Sequence, residues 1–298
     1  MFGRRRTVEH QLSDGWIPRT VRGVTSAEED LDGRVELLAD ADRPGGWLLR
    51  IDRIRQSYVD LDDPTYLDFE YLQAMANVLD ALPEGPLAVT HIGGGACTLA
   101  RYIAATRPGS PQIVLEPDVE VTAVVRAKLP LPPRSRIRVR EVGGRDGVAA
   151  LRDASADVVV LDAFSGGRVP HELTTLEFIT DVTRVLRPSG VFIANVADGR
   201  PLGYSHRLAA TVRKLLPQVL VSTDVAVGKG KRFGNVVVVG DRTGLPVAEV
   251  RRAAAAAPFP RSVLLGFGRD ARPLRDDDPQ RSPEPPEEMW RMGHWQDA

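Results

Sequence analysis

Between residues 87 and 196, apolar runs of strand length alternate with stretches of helical periodicity, and this alternation constrains the fold more than any other feature of the chain. The runs at 87–92, 112–116, 136–141, 157–162 and 191–196 read as strands, and 97–107, 119–128, 148–152 and 175–186 as helices. Each helix must pack its apolar stripe back onto the sheet it left, so the strands run parallel with right-handed crossovers. A doubly wound α/β sheet follows. Beyond a helix at 204–216 the pattern changes. Strands at 219–227 and 235–240 flank the turn Gly228, Lys229, Gly230, Lys231 with no helix between them, which makes an antiparallel pair.

Additions surround this sheet. Upstream, β-type runs at 34–38 and 47–51 are separated by the turn-forming stretch 40–46 and read as a hairpin. Leu67, Tyr71, Met75, Val78 and Leu82 recur at spacings of three and four, the stripe of an amphipathic helix over 64–82. Downstream, an alanine-rich helix at 247–257 leads into a proline- and acid-rich stretch, 270–288, expected to be extended or mobile. The expected organisation is an N-terminal β-region over 1–60, a Rossmann-like ligand-binding domain over 61–245 and a C-terminal helix with its tail over 246–298.

Charge and composition narrow the function classes. The 39 basic and 40 acidic residues leave a net charge of -1, without the positive excess that neutralises phosphates, so a nucleic-acid partner is not expected. One cysteine, Cys97, allows neither an intrachain disulfide nor a cysteine-rich zinc cage, and the five histidines form no HExxH pair, so no metal is expected. No run reaches the roughly 18 apolar residues of a membrane span. The arginines Arg4, Arg5 and Arg6 are not followed by the apolar core of a secretory signal, so a cytoplasmic location is expected. Arg134, Arg136, Arg138 and Arg140 alternate with Ile137 and Val139, as on the solvent face of a half-buried strand.

The chemistry-bearing residues collect at one edge. Gly93, Gly94 and Gly95 follow the first parallel strand and open a helix, where the backbone can approach a ligand and offer free N–H groups. Glu116 ends the second strand, Asp146-Gly147 follows the third and Asp162 ends the fourth. Ligands of open α/β sheets bind outside the carboxyl ends of the strands, so these residues belong to one site. A carboxylate placed like Glu116 suits two ribose hydroxyls, and Asp146 could accept an adenine amino hydrogen. Thr98 stands where a dinucleotide fingerprint has its third glycine, which favours an adenosyl-sulfonium ligand over NAD. A second pattern runs 163–167, Ala-Phe-Ser-Gly-Gly, with Asp198 and His206 following in the order of an α/β-hydrolase, although the first glycine of the nucleophile elbow is missing. Cys97 and His91 read as packed core residues, and His171 as a candidate for the acceptor pocket.

At these residues the chain resembles the spermidine synthase (polyamine aminopropyltransferase) family. The likeness covers roughly 34–245 and includes the hairpin, Gln56, Glu70, Ile92-Gly93-Gly94-Gly95, Glu116, Asp146-Gly147, Asp162 and Pro188-Ser189-Gly190-Val191-Phe192. It implies the seven-stranded sheet of class I S-adenosylmethionine-dependent enzymes. It also implies a homodimer, a small-molecule amine acceptor, and decarboxylated S-adenosylmethionine or S-adenosylmethionine as co-substrate. By the same resemblance, Gln56, the three glycines, Glu116, Asp146 and Gly147 hold the nucleoside, and Asp162 is the catalytic aspartate. Departures concentrate in the amine half. Ala96 and Ser165 stand where the family has aspartates, and Asp68 and Phe69 where it has tyrosine and histidine. Asp62, Asp63, Asp68 and Glu172 are the acids that could take over. The expected function is aminopropyl transfer with weak or changed polyamine activity; the alternatives are an S-adenosylmethionine-dependent methyltransferase or a non-catalytic nucleoside-binding protein.

Overall fold

The computed structural model describes residues 33–258 and 260–286. Arg4, Arg5 and Arg6 lie outside them, as do Trp290 and Trp295. Strands β1 (Val35–Ala39), β2 (Gly46–Ile51) and β3 (Ile54–Asp60) form an antiparallel sheet in that order. The sequence pattern indicated only the first two. Asp52 and Arg53, at φ 50° and 65°, make the tight turn that brings β3 back onto β2. In β3, Arg55 and Ser57 are buried although polar, so the apolar alternation that marks a strand is absent. Helix α1 (Glu70–Asp80) is shorter than its apolar stripe, because Asp63 accepts from the Thr65 amide at 3.1 Å and hydroxyl at 2.6 Å and holds the approach as a turn.

The expected alternation then runs through β4 (Val89–Ile92), α2 (Thr98–Thr106), β5 (Gln112–Leu115), α3 (Val119–Lys128), β6 (Ile137–Arg140), α4 (Gly144–Ala149), β7 (Ala156–Leu161), α5 (Leu176–Val185) and β8 (Leu186–Asp198). It is followed by α6 (Gly203–Leu215), β9 (Gln218–Asp224), α7 (Val225–Gly228), β10 (Gly234–Asp241), α8 (Val247–Ala256) and β11 (Arg261–Leu265). The sheet order is β11-β9-β10-β8-β7-β4-β5-β6, with β4 to β8 parallel and β10 antiparallel to both β8 and β9. Seven of these strands are the expected sheet; β11 adds an eighth along the edge of β9. It is too short, after Pro258 and Pro260, to announce itself by periodicity.

Core formation follows strand alternation. Val159 and Leu161 of β7 face α5 and α6 with Phe178, Phe192 and Leu208, while Val158 and Val160 face α1 and α2 with Met75, Leu79 and Ile103. Burying both faces explains why the central strands read as unbroken apolar runs. Helix α4 begins earlier than expected, and its two glycines are the reason. A Cβ on Gly144 would lie 2.4 Å from Ile92 Cγ2 and one on Gly147 2.7 Å from Leu115 Cδ1, so glycine lets α4 sit directly on the ends of β4 and β5. The segment 266–286 has neither helix nor strand, yet it is anchored: Leu274 is fully buried, and Asp276 accepts from Arg145 at 2.9 and 2.6 Å.

Candidate active site at the carboxyl edge of the sheet

The glycine turn is held from three sides. Gly93 has φ 92°, and a Cβ there would stand 2.2 Å from the Asp162 carbonyl oxygen; Gly95 has φ 45°, and its Cβ would meet Ser57 Oγ at 2.3 Å. Only glycine fits this cleft between β7 and β3. Glu116 Oε2 accepts from the amides of Gly94 at 2.8 Å and Gly95 at 3.2 Å, while Oε1 accepts from the Asp118 amide at 3.0 Å. One carboxylate therefore ties the end of β5 to the turn after β4. The Ala96 amide donates to Ser57 Oγ at 3.2 Å, and Ala96 itself is fully buried among Leu49, Val59 and Val121. A carboxylate in that apolar cluster would be strongly disfavoured. Beside the turn, a cavity of about 210 Å³ opens between Glu116 and the α3 residues Thr122, Val125 and Arg126. Ser57, Tyr71, Gly93, Gly94 and Asp162 line another of about 30 Å³, room for about one water.

Asp162 stands at the mouth of β7, half-buried, and is held by amides and a phenol instead of a cation. Asn195 Nδ2 donates to its Oδ1 at 3.0 Å, Asn235 Nδ2 donates to Asn195 Oδ1 at 3.0 Å, and the Tyr71 hydroxyl also bonds the carboxylate. Burial dominates and pushes the Asp162 pKa up to about 6, while the Asn195 and Tyr71 hydrogen bonds pull against that rise. Burial and the neighbouring Asp162 carboxylate raise the Tyr71 phenol well above its ordinary value, so it remains a donor. A carboxylate with this proton affinity can take a proton from a nucleophile near neutral pH. Tyr71 was visible only as one member of an apolar stripe. Asn195 and Asn235 did leave a signal, since an amide inside a buried strand needs a partner.

Other sequence-derived candidates are distributed around this centre. Gln56 is half-buried on β3 next to Ser57, and Asp146 is exposed in the first turn of α4, between the two glycines that seat the helix on the strand ends. Among the acids considered for the amine half, Asp68 bonds Arg55 at 3.0 Å and Asp63 lies 3.5 Å from Arg43; Glu172 is exposed. Burial raises the Asp68 pKa despite Arg55. Glu70 bonds Arg261 Nη2, from β11, at 3.3 Å. Among the described residues, no group of three or more His, Cys, Asp or Glu is arranged to hold a metal ion.

The hydrolase arrangement does not assemble. Ser165 lies in an exposed turn paired with Arg168, not on a strand-to-helix elbow. Asp198 accepts from the Gly199 and Ser205 amides, both at 2.8 Å. His206 Nδ1 accepts from the Gly268 amide at 3.1 Å while its ring stacks on Phe267. His91 is a buried partner of Gln112 at 2.8 Å, with its pKa lowered to about 4 by burial, and Cys97 is buried with its thiol pushed up to about 11. His171 Nε2 lies 2.9 Å from the Arg275 carbonyl oxygen, which ties it to the C-terminal segment.

No protein-family model matches the chain. A curated polyamine aminopropyltransferase of Chromobacterium violaceum is 35% identical over 145 residues, 48% of this chain and 55% of that protein, and one of Neisseria meningitidis is 30% identical over 148 residues. The chain spans about half the length of the curated relatives it matches. Among solved structures, a probable spermidine synthase from Corynebacterium glutamicum superposes with a TM-score of 0.75 at 29% identity, covering 84% of this chain and 95% of that one. Human methyltransferase-like protein 13, solved in complex with SAH, shares the fold at a TM-score of 0.52 and 23% identity, covering 62% of this chain and 89% of that one. The doubly wound sheet, the small antiparallel sheet before it and these relatives together support a spermidine synthase-like family for this chain.

Proposed function

We propose that the protein is an aminopropyltransferase-like enzyme that takes decarboxylated S-adenosylmethionine and an acceptor other than an efficiently used diamine. One observation carries the reading: Asp162, with its raised proton affinity, shares the carboxyl edge with the Glu116-held glycine turn, so a base and a nucleoside cradle converge there. Gly93, Gly94 and Gly95 would let the nucleoside approach the backbone, Glu116 would exchange amide partners for ribose hydroxyls, and Gln56, Asp146 and Gly147 would close around the base. The acceptor nitrogen forms a bond to the propyl carbon beside the sulfonium. The C–S bond breaks with its electron pair going to sulfur, and the thioether leaves neutral. The nitrogen's surplus proton passes to Asp162, held in line by Tyr71 and Asn195. A bound alkylammonium near pKa 10 must be presented as free amine, and a buried carboxylate aimed at the nitrogen serves that end.

Burial of Ala96 and the exposed turn at Ser165 support an altered amine half with weak putrescine activity. The reading includes a homodimer, in keeping with a small sheet in which β1 and β3 pair with no further strand among the described residues, and a cytoplasmic small-molecule substrate. Calorimetric titration with S-adenosylmethionine, its decarboxylated form and methylthioadenosine tests it. Binding of the decarboxylated form ahead of S-adenosylmethionine is expected. The reverse order would transfer the site to methyl chemistry, and no binding of any of the three would remove the nucleoside assignment.

A further inference from the structure

Resting on that reading, the geometry points to the chemical class of the acceptor. With the nucleoside over β4 and β5, an in-line nucleophile reaches Asp162 from the other side, across the ends of β8, β10 and β9 in the observed strand order. The amide relay Asp162–Asn195–Asn235 marks that direction. At its far end the loops 199–201 and 229–233 pack together: a Cβ on Gly230 would lie 3.6 Å from Arg200 Cβ, and one on Gly199 3.1 Å from Phe233 Cδ2.

Carboxylates on this side already have hydrogen-bonding or ionic partners. Glu70 bonds the buried Arg261, Asp224 bonds Arg232 at 3.2 Å, and Asp198 is taken up by two backbone amides. Asp68, on the approach to α1, bonds the buried Arg55. Cations are not partnered in the same way. Arg200, Lys229 and Lys231 are exposed on the two converging loops, and no carboxylate among the described residues pairs with any of them. A second ammonium arriving here would meet three like charges and no open counter-ion, whereas an anionic group would be attracted and steered. We propose that the acceptor is an amine whose far end carries an anionic group, with Arg200, Lys229 and Lys231 as its recognition element.

Three amines with the same four-carbon spacing and different far ends test this: putrescine, butylamine and γ-aminobutyrate, each titrated into the protein saturated with methylthioadenosine at low salt. γ-Aminobutyrate should bind about tenfold or more tighter than putrescine, with butylamine between them, and the spread should shrink as salt is raised. Replacing Arg200, Lys229 and Lys231 together by serine should collapse the preference for γ-aminobutyrate over butylamine. The exposed reversal Lys229→Glu with Lys231→Glu should move putrescine to first place. Putrescine binding tightest to the unmodified protein, affinities indifferent to the far end, or a preference that survives the triple serine variant would each overturn the proposal. Methylthioadenosine binding, measured in the saturating step, separates these outcomes from failure of the nucleoside reading.

Discussion

Replacing Asp162 by asparagine should stabilise the protein at neutral pH while disabling it. The ordinary value for this carboxyl is 3.8 and the folded value about 6, a rise of about 2 units worth about 3 kcal/mol at 1.36 kcal/mol each. The sign follows from linkage. A folded pKa above the unfolded one means the folded state binds the proton more tightly, so the contribution is fully present below about pH 4 and lost as pH rises through about 6. Asparagine keeps the shape and cannot ionise, so the variant escapes that loss. Urea unfolding of both proteins between about pH 4 and pH 7.5 should show the stability of the variant rising relative to wild type by about 2 kcal/mol across the window. His91, whose folded pKa is lowered to about 4, loses stability as pH falls, but it does so equally in both proteins and cancels in the difference. A difference that stays constant with pH would show that Asp162 titrates as in the unfolded chain, and the argument for a buried base would fail. Turnover in the variant should drop by about 100-fold or more with methylthioadenosine binding kept.

Glu116→Ala should weaken methylthioadenosine binding by about 1–3 kcal/mol in calorimetry, since the variant loses the charged acceptor for the ribose hydroxyls; unchanged affinity would dismiss Glu116 as a ligand. Tyr71→Phe removes a hydrogen bond that lowers the Asp162 pKa, so the acidic limb of the pH–rate profile should move up by about one pH unit, with KM for the nucleoside unaltered. Light scattering at high concentration should give a dimer, and a strictly monomeric protein would dispose of the assembly claim without affecting the fold.

The parallel sheet was legible because burial on both faces writes an apolar run into each central strand, and the glycine turn because Gly93 and Gly95 occupy backbone conformations that other residues rarely adopt. Strand β3 was not legible. Arg55, Ser57 and Asp60 are polar residues buried by pairing, with Asp68, the Ala96 amide and Arg43 as partners more than ten positions away in each case. Periodicity measures the average preference of a side chain for water and misses burial that depends on a distant partner. Helix α4 was misplaced for a related reason: Gly144 and Gly147 disfavour a helix locally, and only contact with Ile92 and Leu115 makes their missing side chains an advantage.

The candidate site divides along the same line. Gly93, Glu116 and Asp162 are placed by local chain geometry, at strand ends that the alternation already locates, so their convergence follows from the topology alone. The properties that set their chemistry are relational. Asp162 has its proton affinity because packing buries it, with Tyr71 from α1 and Asn195 from β8 tempering the rise and no cation among the described residues bonding it. Glu70 and Asp68 carry the charge a diamine would seek, yet each is matched by a buried arginine from β11 or β3, two strands that periodicity did not reveal. An acid counted in the sequence is therefore not an acid offered to a substrate. On this edge Asp162, which no cation among the described residues bonds, is the acid that burial makes a base, and in the proposed reading Arg200, Lys229 and Lys231 stand where the acceptor enters.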